Sequence, residues 1–291
     1  MEWLNAVIQG VLLGGLYALL ATGLSLAFGV MRLVNLAHGD LNIVAAYLAL
    51  VVVSATGASP LLVLLVVVPL MMALGYVLQR VLLNFTLAGG VLPPILVTFG
   101  ISVVAQNVLL DIFSANSRGL DAGALETASV KINDQISVGV FPLLTLLVAV
   151  GVLLGLQFLI SRTQLGRALR ATSDDIEAAR IVGIDHRRLY AIAMAIALGT
   201  VAVAGVFLGV RTTFGPSDGP ARLIFAFESV IIGGLGSLWG TLVGGVALGV
   251  AQAVGTQINP AYQVLGGHLL FLAVLAFRPS GLFARRTVRE V

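Results

Sequence analysis

Apolar runs of about the length needed to cross a bilayer recur from one end of this 291-residue chain to the other. That recurrence limits its fold more than any other feature. Hydrocarbon offers no hydrogen bonds, so a lipid-embedded segment must satisfy its own N–H and C=O groups, and runs of this kind predict α-helices. They fall at 6–30, 41–56, 61–83, 95–113, 139–160, 189–210, 223–234, 241–257 and 263–277, and no hydrophilic stretch between them exceeds about 28 residues. Only 10% of the residues are charged, against about 25% in a soluble domain. The fold class expected is an all-α polytopic integral membrane protein with about 8–10 transmembrane or half-membrane helices, as one domain over 1–291.

Charge placement orients the chain. Residues 161–188 hold six of the sixteen Lys and Arg, and the tail 278–291 holds four, Arg278, Arg285, Arg286 and Arg289. Basic residues gather on the cytoplasmic side of membrane proteins, which places both segments there and argues against a nucleic-acid partner. Residues 111–138 carry Asp111, Asp121, Glu126 and Asp134 against Arg118 and Lys131, and form the expected extracytoplasmic loop. MEWLNAVIQG has no basic leader character, so the first span is expected to stay in the mature protein. Two cytoplasmic segments require an even number of crossings between them. The apolar stretch 223–257 therefore has to be two short crossings or a re-entrant pair.

Two breaks interrupt the apolar pattern. One lies in MRLVNLAHGD and its continuation, with Asn35, His38, Gly39, Asp40 and Asn42; the other is GGLGSLWG, with Gly233, Gly234 and Ser237. Irregular backbone at membrane depth survives where it lines a cavity, so both are candidate pathway elements, expected to face each other near mid-membrane. Glu228, inside an apolar run, joins them as a pathway residue or as the partner of Arg222 or Arg211. In the fourth span Ser102, Gln106 and Asn107 suit interhelical hydrogen bonding. The three histidines, His38, His186 and His268, show no ligand spacing, and the chain has no cysteine, so no catalytic residues and no metal site are expected.

The 161–188 loop reads as a docking element. Thr172 with Asp175 fits a capping box, acids follow in the first turn, and Gly183 is a natural stop, which predicts one helix of roughly ten residues with an apolar stripe of Ile176, Ala179 and Val182. Within it, Glu177-Ala178-Ala179, three residues and then Gly183 reproduce the start of the EAA motif of ABC importer permeases, with Ile192 near the expected distance and the following proline missing. The stretch GLYALLATGLSLAFGVMRLVNLAHGDLNIVAAYLA, with its Asn-x-Ala-His-Gly core, resembles the opening of LivH-type branched-chain amino acid ABC permeases. LGRALRAT, AGVFLG, VIIGGLGSLWGTLVGG and RPSGLF extend that resemblance over essentially the whole chain.

The resemblance implies an importer subunit of a bacterial inner membrane that forms half of a pore. It implies a second permease subunit, a LivM-type paralogue or another copy, two cytoplasmic ATPase subunits and an extracytoplasmic substrate-binding protein. ATP and Mg belong to those partners, since no G-x-x-x-x-G-K-[ST] occurs here and no cofactor is expected in this chain. Glu177, Ala178, Ala179 and Gly183, with Arg170 and Asp175, are the expected ATPase coupling residues. The substrate stays open among branched-chain or related neutral amino acids, urea, amides and aromatic acids. An ion-coupled secondary transporter is the rival from another class. Asn259-Pro260-Ala261 spells an aquaporin tripeptide, but one copy is read as a turn.

Overall fold

Residues 2–87, 90, 92–133 and 136–283 are described in a computed structural model of the chain. Asp134, Arg285, Arg286 and Arg289, used above to orient the chain, lie outside the described residues.

The helices follow the apolar runs closely. In order they are α1 (Glu2–Met31), α2 (His38–Thr56), α3 (Pro60–Leu78), which runs through a π-turn at Gln79–Leu83 into α4 (Asn84–Thr86), then α5 (Leu92–Phe113) and the short α6 (Ala124–Thr127). An antiparallel hairpin, β1 (Ser129–Asn133) and β2 (Ile136–Gly139), pairs Val130 with Val138. The second half holds α7 (Val140–Arg162), α8 (Gln164–Asp174), α9 (Ile176–Ile181), α10 (His186–Arg211), α11 (Gly219–Gly233), α12 (Leu238–Ile258) and α13 (Gln263–Phe277). Eight of the helical segments are long and apolar enough to span a bilayer. At 15 residues α11 is too short to do so.

Helices α1 and α10 form the centre: 83% of the most apolar window of each is buried. Around them α3, α5, α7 and α13 turn apolar side chains such as Leu65, Leu96, Phe158 and Leu272 outward, as lipid-facing helices must. Helices in lipid gain nothing by hiding leucine from their surroundings, so close backbone approach holds them together. On α1, Gly10 and Gly14 are one turn apart; on α12, Gly245 and Gly249 match them. A Cβ at Gly10 would lie 2.6 Å from the Val250 Cα, and one at Gly245 would lie 2.6 Å from the Ala18 nitrogen. Neither helix has room for a larger residue at this seam.

The two ends of the bundle differ. At one end the Gln9 amide donates to the Ser137 carbonyl (2.9 Å), and Arg118 and Phe214 exchange backbone hydrogen bonds. At the other, the Ser173 hydroxyl donates to the Gly29 carbonyl (2.8 Å) and the Asn84 amide donates to the Arg187 carbonyl (3.1 Å). The segment after α13 also returns to this second face, where the Leu282 and Phe283 N–H groups donate to the carbonyls of Ile232 and Gly233. The chain to Phe283 and the 161–188 loop therefore share one face. The 223–257 stretch supplies two antiparallel helices, α11 and α12, as that parity requires.

Filling the α1–α12 seam is expected to break this packing. Gly245→Leu should destabilise the purified protein by about 1–3 kcal/mol or more, the usual cost of overpacking, whereas Gly151→Leu, with no atom within 4 Å of its Cβ direction, should be close to neutral. Thermal unfolding in detergent measures both, and equal melting temperatures would contradict the assignment of the seam.

Candidate functional site

The loop between α7 and α10 is built by three aspartate and threonine caps. Thr163 accepts from the Gly166 N–H (3.0 Å) to start α8, and Asp175 accepts from Glu177 (2.8 Å) and Ala178 (3.0 Å) to start α9. Asp185 does the same for α10 through Arg187 and Arg188. These caps correct the sequence expectation of a single helix beginning at Thr172. Thr172 is buried inside α8 and its hydroxyl donates to the Ala168 carbonyl; the chain leaves the helix at Asp175, which is extended (φ −150, ψ 110), and a six-residue helix follows.

Gly183 stops α9 as the sequence suggests. It takes φ +82, a left-handed conformation that costs other residues free energy. Its N–H donates to the Arg180 carbonyl, and the Ile184 N–H reaches back to the Ala179 carbonyl, which completes a Schellman turn. The apolar stripe is divided rather than continuous. Ala179 is buried against this chain, whereas Ile181 (86% exposed) and Val182 (74%) stand out from the bundle beside the exposed Ile176, Glu177 and Ala178. Arg170 is half-buried on α8 and lines a cavity of about 160 Å3 at this face together with Ser25, Gln157, Asp174, Ser237 and Trp239.

Deeper in the bundle, α2 and α11 both begin away from either face. The His38 imidazole Nε2 is 2.8 Å from the Leu20 carbonyl in the body of α1, and the Asn42 amide donates to the Val201 carbonyl of α10 (3.1 Å). Asn35 folds its side chain onto the start of α2, accepting from the Ala37 N–H, while the Leu36 N–H donates to the Thr98 hydroxyl of α5. A Cβ on Gly39 would overlap the Gly219 carbonyl, so the first turns of α2 and α11 touch through bare backbone. Asp40 is buried there, and its Oδ2 accepts from the Ser102 hydroxyl (2.6 Å), which in turn accepts from the Gln106 amide.

The two sequence breaks do not face each other. The partner of Asn35–Asn42 is the start of α11, where Gly39 and Asp40 meet Gly219 and Leu223, whereas Gly233–Ser237 turns α11 into α12 near the opposite end of α1, where Gly236 approaches Gly29. That second turn is spent on a tight hairpin: Gly233 and Gly240 touch backbone to backbone, Gly234 takes φ +103, and Ser237 caps α12 by accepting from the Gly240 N–H. Glu228 also departs from expectation. Its carboxylate is bonded to Nδ1 of His268 on α13, and neither Arg211 nor Arg222 pairs with it among the described residues. The signal for the missed helix start was present in Gly215-Pro216-Ser217-Asp218-Gly219-Pro220; for His268 it was a lone polar residue in an apolar span.

Comparison with known proteins decides the family. The family described as branched-chain amino acid transport system, permease component, matches residues 6–275. The chain belongs to it. The permease protein BraD of Pseudomonas aeruginosa is 30% identical over 100% of this chain and 98% of its own length. The LivH permease proteins of Salmonella typhimurium and Escherichia coli K12 are each 27% identical with the same coverage. A shorter match, 30% identical over 63% of this chain and 54% of the relative, is to the fructose import permease protein FrcC of Rhizobium meliloti. No solved structure matches the chain.

Within this LivH-type permease the polar residues of the α2–α5 contact support one another. Ser102 donates to Asp40 Oδ2, while Oδ1 has no partner among the described residues. Ser102→Ala is therefore expected to cost about 1–3 kcal/mol, the range for stranding a buried acceptor. Ser102→Thr keeps the hydroxyl and should recover most of the loss in a thermal unfolding assay. An unshifted Ser102→Ala protein would show that the bond contributes nothing.

Proposed function

We propose that this permease forms half of the translocation pore of an ATP-driven importer for branched-chain or related neutral amino acids in a bacterial inner membrane. The observation that carries the reading is end-to-end similarity to BraD and LivH, whose names describe high-affinity branched-chain amino acid transport. The other half of the pore comes from a LivM-type paralogue or a second copy; a LivM permease protein of Escherichia coli is 28% identical over 42% of this chain. Two cytoplasmic ATPase subunits bind ATP and Mg, and an extracytoplasmic binding protein delivers the substrate. This chain carries no catalysis of its own.

In that assembly the α8–α9 face is cytoplasmic, the hairpin face extracytoplasmic, and α9 the coupling element. Its backbone is fixed by Asp175 at one end and Gly183 at the other, so a push on the helix moves α8 and α10 with it rather than being absorbed in a flexible loop. Exposed Ile176, Ile181 and Val182, with the small Ala178 between them, offer an apolar face for an ATPase groove. Ala179 and Arg170 contribute from beneath, Ala179 by seating α9 on the bundle and Arg170 from the adjoining cavity. Substrate passes where polar groups interrupt the bundle, at Asn35, His38, Gly39, Asp40 and Asn42 and beside Glu228, with Gly233, Gly234 and Ser237 shaping the exit.

Ile181→Asp and Ala178→Arg are expected to lower import at least about tenfold, since a buried charge or a filled groove removes interface energy of about 1.4 kcal/mol or more. Membrane insertion should be unchanged. Copurification of the ATPase subunits and uptake of labelled leucine measure both effects. Variants that keep the ATPases and import normally would remove α9 from the coupling role.

A further inference from the structure

The cavity at the α8 face is built from four parts of the chain. Ser25 of α1, Gln157 of α7, Arg170 and Asp174 of α8 and Trp239 of α12 line a space of about 160 Å3. Its polar groups are unspent. The Ser25 side chain is 1% exposed, and its hydroxyl has no hydrogen-bond partner among the described residues. Arg170 and Asp174 are one turn apart on α8, a spacing at which opposite charges are neighbours. Yet no salt bridge joins them, and neither pairs with another charged group among the described residues. An orphaned hydroxyl, a cation and an anion around one cavity are what a small polar ligand needs.

The depth of the cavity points to the source of that ligand. Helix α7 ends at Arg162, just past the lining residue Ser161, and α12 begins at Leu238, so the cavity lies where both spans reach the headgroup layer. The exposed Trp239 sits at this level, as interfacial tryptophans do. Further into the span, the same two helices turn Leu147, Leu154 and Val243 outward. Arg162 and Arg167 are exposed on either side of the α7–α8 turn and add positive charge there. Drug-sized ligands occupy roughly 300–1,000 Å3. This smaller space takes only the polar end of a molecule whose remainder lies outside it.

We propose that the cavity binds the headgroup of a membrane phospholipid, a phosphate ester that carries an ammonium group, as in phosphatidylethanolamine. Arg170 takes the phosphate, which its planar guanidinium can bond through two oxygens at once. The Ser25 hydroxyl donates to the same group, and Asp174 takes the ammonium. The acyl chains lie along the apolar outer faces of α7 and α12. A lipid held in this way links α8 to α1, α7 and the α11–α12 turn, which puts the helix before α9 under the influence of the bilayer.

The chain has two tryptophans, so Trp3→Phe leaves Trp239 as the sole reporter, and it lines the cavity. The full-length Trp3→Phe permease in detergent is titrated with dihexanoyl phosphatidylethanolamine, dihexanoyl phosphatidylglycerol and glycerophosphoethanolamine, the last being the headgroup without chains. Trp239 emission is expected to change saturably with phosphatidylethanolamine. Arg170→Gln and Asp174→Asn in this background should each weaken binding roughly 10- to 100-fold, as for loss of a charged hydrogen bond. Arg188→Gln, an exposed arginine that does not line the cavity, should alter it less than about twofold. No saturable change, or unaltered affinity in the two cavity variants, overturns the site. Glycerophosphoethanolamine binding as tightly as the lipid overturns the membrane source in favour of a free phosphate ester. Phosphatidylglycerol binding as tightly overturns the ammonium contact. If the charge variants do not fold, the unfolding midpoint of the unsubstituted protein decides. Phosphatidylethanolamine should raise it more than either other ligand, and equal shifts overturn the proposal.

Discussion

Everything in this bundle depends on satisfying backbone groups where no water is at hand. Each unpaired N–H or C=O in hydrocarbon costs several kcal/mol, yet the chain starts two helices, α2 and α11, inside the bundle. It manages this by pressing the two starts together. Gly39 and Gly219 meet without side chains, Asn35 and Asp218 fold onto nearby N–H groups, and α1, α5 and α10 lend Leu20, Thr98 and Val201 as partners. The interior of the protein is thereby polar where the outer helices turn mostly apolar side chains outward.

The same constraint explains the use of small residues. Where α1 meets α12, and where α11 turns into α12, backbone touches backbone, so the close contacts that hold helices in lipid also bring carbonyls near one another. Among the described residues, buried polar side chains come mainly from α1, α2, α5, α11 and α12, whereas α3 and α7 together bury only Thr145.

Much of this was legible in the sequence because it is local. All nine apolar runs became helices, Gly183 ends α9 as its neighbours imply, and Asn259-Pro260-Ala261 is a turn, with Asn259 accepting from the Ala261 N–H. Short-range reasoning failed where two cap signals competed. Thr172 and Asp175 both resemble helix starts, and only packing of Thr172 inside α8 selects Asp175. It failed again for contacts between distant segments: the pairing of Glu228 with His268, 40 residues away, and of Asn35–Asn42 with the start of α11 follow from how helices cross, which no spacing rule encodes.

The central claim is that α9, fixed between Asp175 and Gly183, is the element by which this permease is coupled to its ATPase. A cryo-electron microscopy structure of the assembled transporter with bound amino acid tests it most directly. The account predicts α9 seated in a groove of an ATPase subunit, and Asn35–Asn42 and Glu228 beside a water-filled path shared with the second permease. A structure with Asn35–Asn42 packed away from any such path, or with α9 free of the ATPase, would contradict it.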